Sequence, residues 1–427
     1  MRSHLLHTVP VALLAAACSL GGQGFDLVQS NLQRDTSPNV PAADADALAK
    51  DDAAFGVDLY ARVSQGDAAN VFFSPYSISM ALAMTYNGAN GETAQQMASA
   101  LHFSLPVDRL DAALDATDLA LATRKNALDE MGKPVKGFEL NVADSLWADR
   151  TLSIAQPFVD TLGQNFGAGL RLVDFVNAPE PARGAINGWV SGQTNAKIQD
   201  LIPQGDIDSS TRLVLVNAIY FDAPWASPFD ASATHDEPFV RLDGSTVTSH
   251  GMHQSLEAAY GQGDGWQAVE LPYAGNQTSM VVVVPDQGQL ASVEHALSGD
   301  AVQSMFGSLA AGAEVSVTLP KFQIKGATIS LAQQLKAMGM VDAFDPAKAD
   351  FSRIAPEPLY ISDVVHQAFV SVDEAGTEAA AATAVVMAGA SAPTKQVTLD
   401  VNRPFLFFIR DIPTNTVLFM GRVVDPS

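Results

Sequence analysis

The sequence predicts an α+β fold with long antiparallel or mixed sheets. Three observations carry this. Helical apolar stripes lead the chain, strand-like runs dominate later, and the two mix without a regular βα alternation. The run RLVLVNAIYFDAPW (212–225) is nearly continuous in apolar, β-branched residues, which is the pattern of a strand buried on both faces. A hydrophobic fraction of 47% over 427 residues is ample for a large core, whether in one mixed domain or in two or three. No internal repeat is visible.

The N-terminus reads MRSHLLHTVPVALLAAACSLGG. Arg2 gives a positive start, Val9 to Ala17 a short apolar stretch, and small residues precede Cys18. This predicts a secretory signal over residues 1–18, too short and wrongly flanked to span a membrane. LLAAAC also resembles the bacterial lipoprotein cleavage box, whose cysteine is lipidated, although Ala15 stands where leucine is usual. A lipidated Cys18 and an ordinary cleaved signal both stay open, and either puts the chain outside the cytoplasm, secreted or membrane-anchored. Residues 19–49, rich in Gly, Gln, Asn, Pro and Asp, read as a flexible tether.

From Lys50 the text is globular. DDAAFGVDLYARVSQ carries a helical stripe at Phe55, Leu59 and Val63. YSISMALAMTYNGANGETAQQMASAL reads as helix, break, helix, with NGANG as the break. The pattern is helical again between Leu105 and Lys136, FELNVADSLWAD alternates as a strand, and ARGAINGWVSGQTNAKIQDLI is a helix. TSMVVVVPD and AEVSVTLPKFQIK are further strands, ISLAQQLKAMGM a helix ending at Gly339, and LYISDVVHQAFVSVDEAG a strand. The segment VTLDVNRPFLFFIRDIPTNTVLFMGRVVD reads as two strands joined through DIPTNT.

Composition excludes several functions. A net charge of −23 leaves nothing to replace phosphate counterions, so no nucleic acid is expected; partners are neutral or basic. One cysteine excludes an internal disulfide, a Cys-ligated zinc site and a CxxC redox pair. There is no GxSxG and no HExxH, and QGDIDSS lacks the glycine and glutamate of a calcium loop. GQGDG (261–265) has no following lysine or helix to serve phosphate. His250 and His253 have no third ligand near in sequence and read as part of an inter-strand bend, so no metal is expected. The balance is against an enzyme.

Two features remain. Ser74, Ser77, Asn217 and His366 are polar residues set in apolar runs where burial is expected. Each must be hydrogen-bonded or cost about 1–3 kcal/mol, either as separate satisfied groups or as one network beneath a sheet. The other feature is EAGTEAAAATAVVMAGASAPTK, from Glu374 to Lys395. It has no charge between Glu378 and Lys395, neither an amphipathic helical face nor a linker composition, and no proline before Pro393.

Taken in order, NVFFSPYSISMALAMTYNGANGET, INGWVSGQTNAKIQDLI, LVNAIYFDAPWASPF, VTLPKFQIK, VVHQAFVSVDEAGTEAAAATA and RPFLFFIRDIPTNTVLFMGRV resemble the serpins. The resemblance runs from about Lys50 to Pro426. It implies a single domain over residues 50–427, with three β-sheets, eight or nine helices and an exposed reactive loop at about 374–395. It also implies a monomer without cofactors that traps serine proteases as a suicide inhibitor. A protease attacks the loop, an acyl-enzyme forms, and the cut loop inserts into the large sheet as a new strand.

The resemblance further implies residue roles. The hinge is Glu374, Gly376, Thr377, Glu378, Ala379, Ala380, Ala381, Ala382 and Thr383. Alternation puts Thr377, Ala379, Ala381, Thr383 and Val385 on one strand face, all small and uncharged. Ser74, Ser77, Asn217 and His366 match the family's "shutter", a polar cluster where strands part. Trp225 matches the "breach", where insertion starts, and Lys321 with Glu374 matches an ion pair that restrains the hinge. A common spacing places the reactive bond at Ala390–Ser391, with Met387 as runner-up and Lys395 third. Ala390 suits an elastase-like or subtilisin-like protease. Non-inhibitory serpins, acting as binding proteins or substrates, tend to carry bulky, charged or proline residues in the hinge, which this chain does not.

Overall fold

The computed structural model describes residues 24–65, 69–128, 132–326, 328–377 and 395–427. In chain order they form β1 (Asp26–Val28), α1 (Ala42–Val63), β2 (Val71–Phe73), α2 (Pro75–Tyr86), α3 (Gly91–Ala100), α4 (Val107–Thr123), β3 (Glu139–Asp149), α5 (Gln156–Phe166), β4 (Leu170–Val173), α6 (Pro179–Gln193) and β5 (Leu213–Pro224). They continue as β6 (His235–Val240), β7 (Thr246–Gly263), β8 (Trp266–Pro272), β9 (Thr278–Pro285), α7 (Leu290–Ala296), α8 (Gly299–Ser308), β10 (Ala310–Pro320), β11 (Phe322–Lys325), β12 (Ile329–Ser330) and α9 (Ala332–Ala337). The chain ends through β13 (Ile361–Val372), β14 (Gly376–Thr377), β15 (Lys395–Asp400), β16 (Phe405–Asp411) and β17 (Thr416–Val423).

One sheet has the order β1-β4-β3-β5-β14-β13-β11, with β12 also on β13. It is mixed: β5 runs antiparallel to β3 and parallel to β13. The continuous apolar run of β5 is explained by two cores. Leu213 and Leu215 join one core with α1 and α2, while Val214, Val216 and Ala218 join another with Ile186 and Val190 of α6. The second sheet has the order β15-β10-β7-β8-β9-β16-β17-β2, with β6 on β7. The 18-residue β7 pairs with β6 and β10 along much of its length and with β8 at its end. It thereby joins two of the three expected sheets into one hydrogen-bonded ladder. Nine α-helices fall among the described residues.

Helix α2 sits between the sheets, packed on β3, β5 and β17. Ser74 caps its N-terminus by accepting from the Ser77 N–H, and Pro75 occupies its first turn, where a missing N–H costs nothing. The cap therefore fixes two of the four polar residues beneath the first sheet.

Several expectations are corrected. The span read as a tether is ordered from Gly24: β1 pairs antiparallel with β4, Phe25 packs edge-on against Trp147 at 5.0 Å, and Arg34 bridges Asp115 and Asp118. Helix α1 starts at Ala42, inside the same span. Polar composition hid β1, because a three-residue edge strand and one half-buried ring leave no periodicity. The helix of residues 105–136 ends at Thr123. The C-terminal segment holds three strands, since VTLDV supplies most of β15. His250 and His253 lie within β7 rather than in a bend.

Candidate functional site

The first sheet forks. From Ile361 to Phe369, β13 pairs directly with β5, ending at Phe369 opposite Tyr220. Above that rung β14 stands between them: Thr377 pairs with Ala223 of β5 and Val372 of β13, and Gly376 pairs with Pro224. A tight turn sends the chain back down. Asp373 accepts from the N–H groups of Ala375 and Gly376, and its own N–H donates to the Gly376 carbonyl. Glycine is required at 376, where φ is +154° and a Cβ would lie 2.2 Å from the Ala223 carbonyl oxygen.

Thr377 is fully buried, with its hydroxyl 2.7 Å from that of Tyr273 on the inner face. Tyr273 stacks on Trp225, the rings 4.6 Å apart and nearly parallel. Trp225 in turn holds the turn: its ring N–H donates to the Asp373 carbonyl and its backbone N–H to that of Ala375. Lys321 donates to Glu374 at 2.8 Å, and Thr234 donates to the other carboxylate oxygen. Burial opposes ionisation of Glu374, but these bonds hold its carboxyl below the usual range.

Below the fork the four polar residues form one network. The Ser77 hydroxyl donates to Asn217 Oδ1 at 2.8 Å, and the His366 Nδ1–H donates to the same oxygen. The Ser74 N–H donates to His366 Nε2, and the Ser74 hydroxyl to the Leu418 carbonyl. Both nitrogens of His366 are thus used by a neutral ring. Burial lowers its pKa to about 3, against the help of Asn217. Because His366 stands opposite Asn217 in the ladder, their hydrogen bond ties β13 to β5 below the end of β14.

The sequence missed two members. Asn217 Nδ2 donates to Asp144 of β3, whose carboxyl is raised well above its usual range, chiefly by burial. Tyr273 shares a hydroxyl–hydroxyl hydrogen bond with Thr377 from the second sheet's side. Alternation in FELNVADSLWAD sets Asp144 on the face of Phe138, Leu140, Val142, Leu146 and Ala148, so a lone carboxylate on an apolar face was the signal that could have found it. Glu378, Ala379, Ala380, Ala381, Ala382 and Thr383 of the hinge, the bond candidates Met387, Ala390 and Ser391, and Cys18 lie outside the described residues.

A family model described as "Serpin (serine protease inhibitor)" matches residues 50–426. The chain belongs to the serpin family. Human antithrombin-III is 38% identical over 89% of this chain and 82% of that protein. The leukocyte elastase inhibitor of Xenopus tropicalis is 37% identical over 87% of this chain and 97% of that protein. An uncharacterized serpin-like protein of Methanosarcina mazei is 32% identical over 98% and 96%. Among solved structures, the thermophilic serpin tengpin in its native state superposes with a TM-score of 0.79 at 29% identity, covering 93% of this chain and 97% of tengpin. Uncleaved ovalbumin gives 0.78 at 27% identity, covering 89% of this serpin and all of ovalbumin. The serpin's fork, network and aromatic stack therefore belong to a family described by serine protease inhibition.

Proposed function

We propose that this serpin is an irreversible suicide inhibitor of serine proteases that prefer small residues, elastase-like or subtilisin-like. The observation that carries the reading is β14, already seated between β5 and β13 with Thr377 facing inward. Continuing the same antiparallel register down both neighbours brings Thr383 opposite Asn217 on one side and His366 on the other. The inserted loop would then replace the hydrogen bond that closes the sheet. It would put Ala379, Ala381 and Thr383 on the inner face and leave no proline to interrupt the ladder.

The chemistry uses the target's machinery. The protease serine attacks the Ala390 carbonyl carbon, the Ser391 amine leaves, and the acyl ester remains on Ala390. The loop from Thr377 to Ala390, about 14 residues at ~3.3 Å each, would carry the ester-linked enzyme ~45 Å as it inserts. Roughly a dozen new ladder bonds at ~0.5–1.5 kcal/mol each supply a driving force large enough to distort the attached enzyme. Ala390 fits a shallow uncharged specificity pocket, and the loop has no arginine for a trypsin-like one.

In this reading the chain works as a monomer outside the cytoplasm of a bacterium, secreted or held to a membrane through a lipid on Cys18. No helix among the described residues is long and apolar enough to cross a membrane. Incubation with an elastase-type protease tests the function. A covalent complex that survives SDS is expected; clean cleavage without complex would assign the chain instead to the serpins that act as binding proteins or substrates.

A further inference from the structure

We propose that His235, Glu237 and His253 form a binding site for a borderline divalent cation such as Zn2+ on the outer part of the nine-stranded sheet. The three residues come from two strands. In the β6–β7 ladder His235 stands opposite Gly251 and Glu237 opposite Ser249. His253, two residues beyond Gly251, therefore shares their face. His250 faces the other way, where it meets Asp236 at 3.0 Å.

The ligand atoms converge. His235 Nε2 lies 3.1 Å and His253 Nε2 3.5 Å from Glu237 Oε1, and one ligand atom from each of the three residues fits within 4.8 Å of the others. Tetrahedral zinc with bonds of about 2.0–2.1 Å separates its ligands by roughly 3.3 Å, so the two contacts to Glu237 already have the needed span. The imidazoles now stack, 4.1 Å apart and nearly parallel. They have only to tilt toward each other to close the third edge.

The outer hydrogen bonds set the tautomers for metal binding. His235 Nδ1–H donates to the Ala233 carbonyl. The Thr318 hydroxyl donates to Asp400, which leaves its oxygen to accept from His253 Nδ1–H. Each ring thus spends its proton on Nδ1 and turns the Nε2 lone pair toward the carboxylate. His253 Nε2, shielded from solvent, makes no hydrogen bond among the described residues. Three acceptors facing one point repel unless a cation sits between them, and a histidine whose other nitrogen is oriented by a carbonyl or a carboxylate-linked group is the usual arrangement around bound zinc.

Gly251 makes the approach possible, since a Cβ there would lie 2.8 Å from Glu237 Cγ and 3.2 Å from Thr318 Cγ2. A bound cation would clamp β6 to β7 and, through Thr318 and Asp400, lean on β10 and β15. β15 is the strand that follows the reactive loop, so the site is placed to stiffen the loop's far anchor. The sequence reading found no third ligand for His253 because His235 and Glu237 lie on a different strand.

The test is equilibrium dialysis of the chelator-treated full chain against Zn2+ alone, with metal analysis and thermal unfolding of the same samples. One zinc per chain is expected, with a rise in Tm that grows with zinc concentration. Both effects should vanish in His235→Ala, an exposed position that does not threaten the fold, and in His253→Ala. Thr318→Val keeps all three ligands but loses the bond to His253 Nδ1, and should weaken binding about tenfold. His250→Ala should bind as the parent does. No zinc uptake by the parent chain, or uptake that survives both His235→Ala and His253→Ala, would overturn the proposal.

Discussion

Thr377→Arg should turn this serpin from an inhibitor into a substrate. Thr377 is fully buried, its hydroxyl 2.7 Å from that of Tyr273, at the first rung of the strand proposed to insert between β5 and β13. Thr377 is already seated in the intact chain, so an arginine there first empties this rung, and insertion must then bring an uncompensated charge against the Tyr273–Trp225 stack, at about 4 kcal/mol by the scale of broken buried pairs. Placed on the insertion step, that slows it about a thousandfold, at about 1.4 kcal/mol per decade. Hydrolysis of the acyl-enzyme is untouched, so partitioning shifts by the same factor and nearly every encounter ends in cleaved serpin and free protease. The assay is the stoichiometry of inhibition against an elastase-type enzyme, read with the SDS-stable complex on gels. Thr377→Ser keeps the hydroxyl and should keep the complex. An unchanged complex yield for Thr377→Arg would refute insertion through this rung.

The buried neutral His366 makes stability depend on pH. Its pKa is lowered to about 3 in the fold, so the unfolded chain binds the extra proton between about pH 6.5 and 3, and stability falls as pH falls through that window. From pH 7 to pH 5 the loss is about 2 kcal/mol, measurable by urea unfolding and flattened in His366→Gln. Asp144 is raised above the carboxylate range, so Asp144→Asn should cost under about 1 kcal/mol, whereas Asp144→Ala strands the Asn217 amide and should cost about 1–3 kcal/mol. Lys321→Ala breaks a part-exposed pair with Glu374; the melting temperature should scarcely move, since such pairs contribute about 0–1 kcal/mol, while stopped-flow Trp225 fluorescence should report faster insertion. Thr383→Val should lower the unfolding temperature of the loop-cleaved form more than that of the intact chain, because the proposed insertion would bring residue 383 into register with Asn217 and His366.

How much was legible follows from where each signal lay. The unbroken apolar run of β5 declared a strand covered on both faces, and Ser74, Ser77, Asn217 and His366 declared themselves by being polar in such runs; all four meet in one network. The tether reading failed at residues 24–49, because β1 and the Arg34 bridges depend on partners some 80 to 150 residues away rather than on local pattern. Gly376 and Thr377 read as small and uncharged, yet this pair is already seated between β5 and β13. That outcome is set by the fit of a glycine against the Ala223 carbonyl and of a hydroxyl against Tyr273, both tertiary facts. Asp144 was overlooked although legible by the rule that marked Asn217 and His366, since it is the one polar residue on the face of Leu140, Val142, Leu146 and Ala148.

The central claim is that cleavage and trapping are one event at one bond. Mass spectrometry of the SDS-stable complex formed with an elastase-type protease tests it most directly. The released C-terminal fragment should begin at Ser391, and the protease serine should be esterified to Ala390. A fragment beginning at Ser391 with no protease bound to the remaining chain, in wild type as in Thr377→Arg, would contradict it.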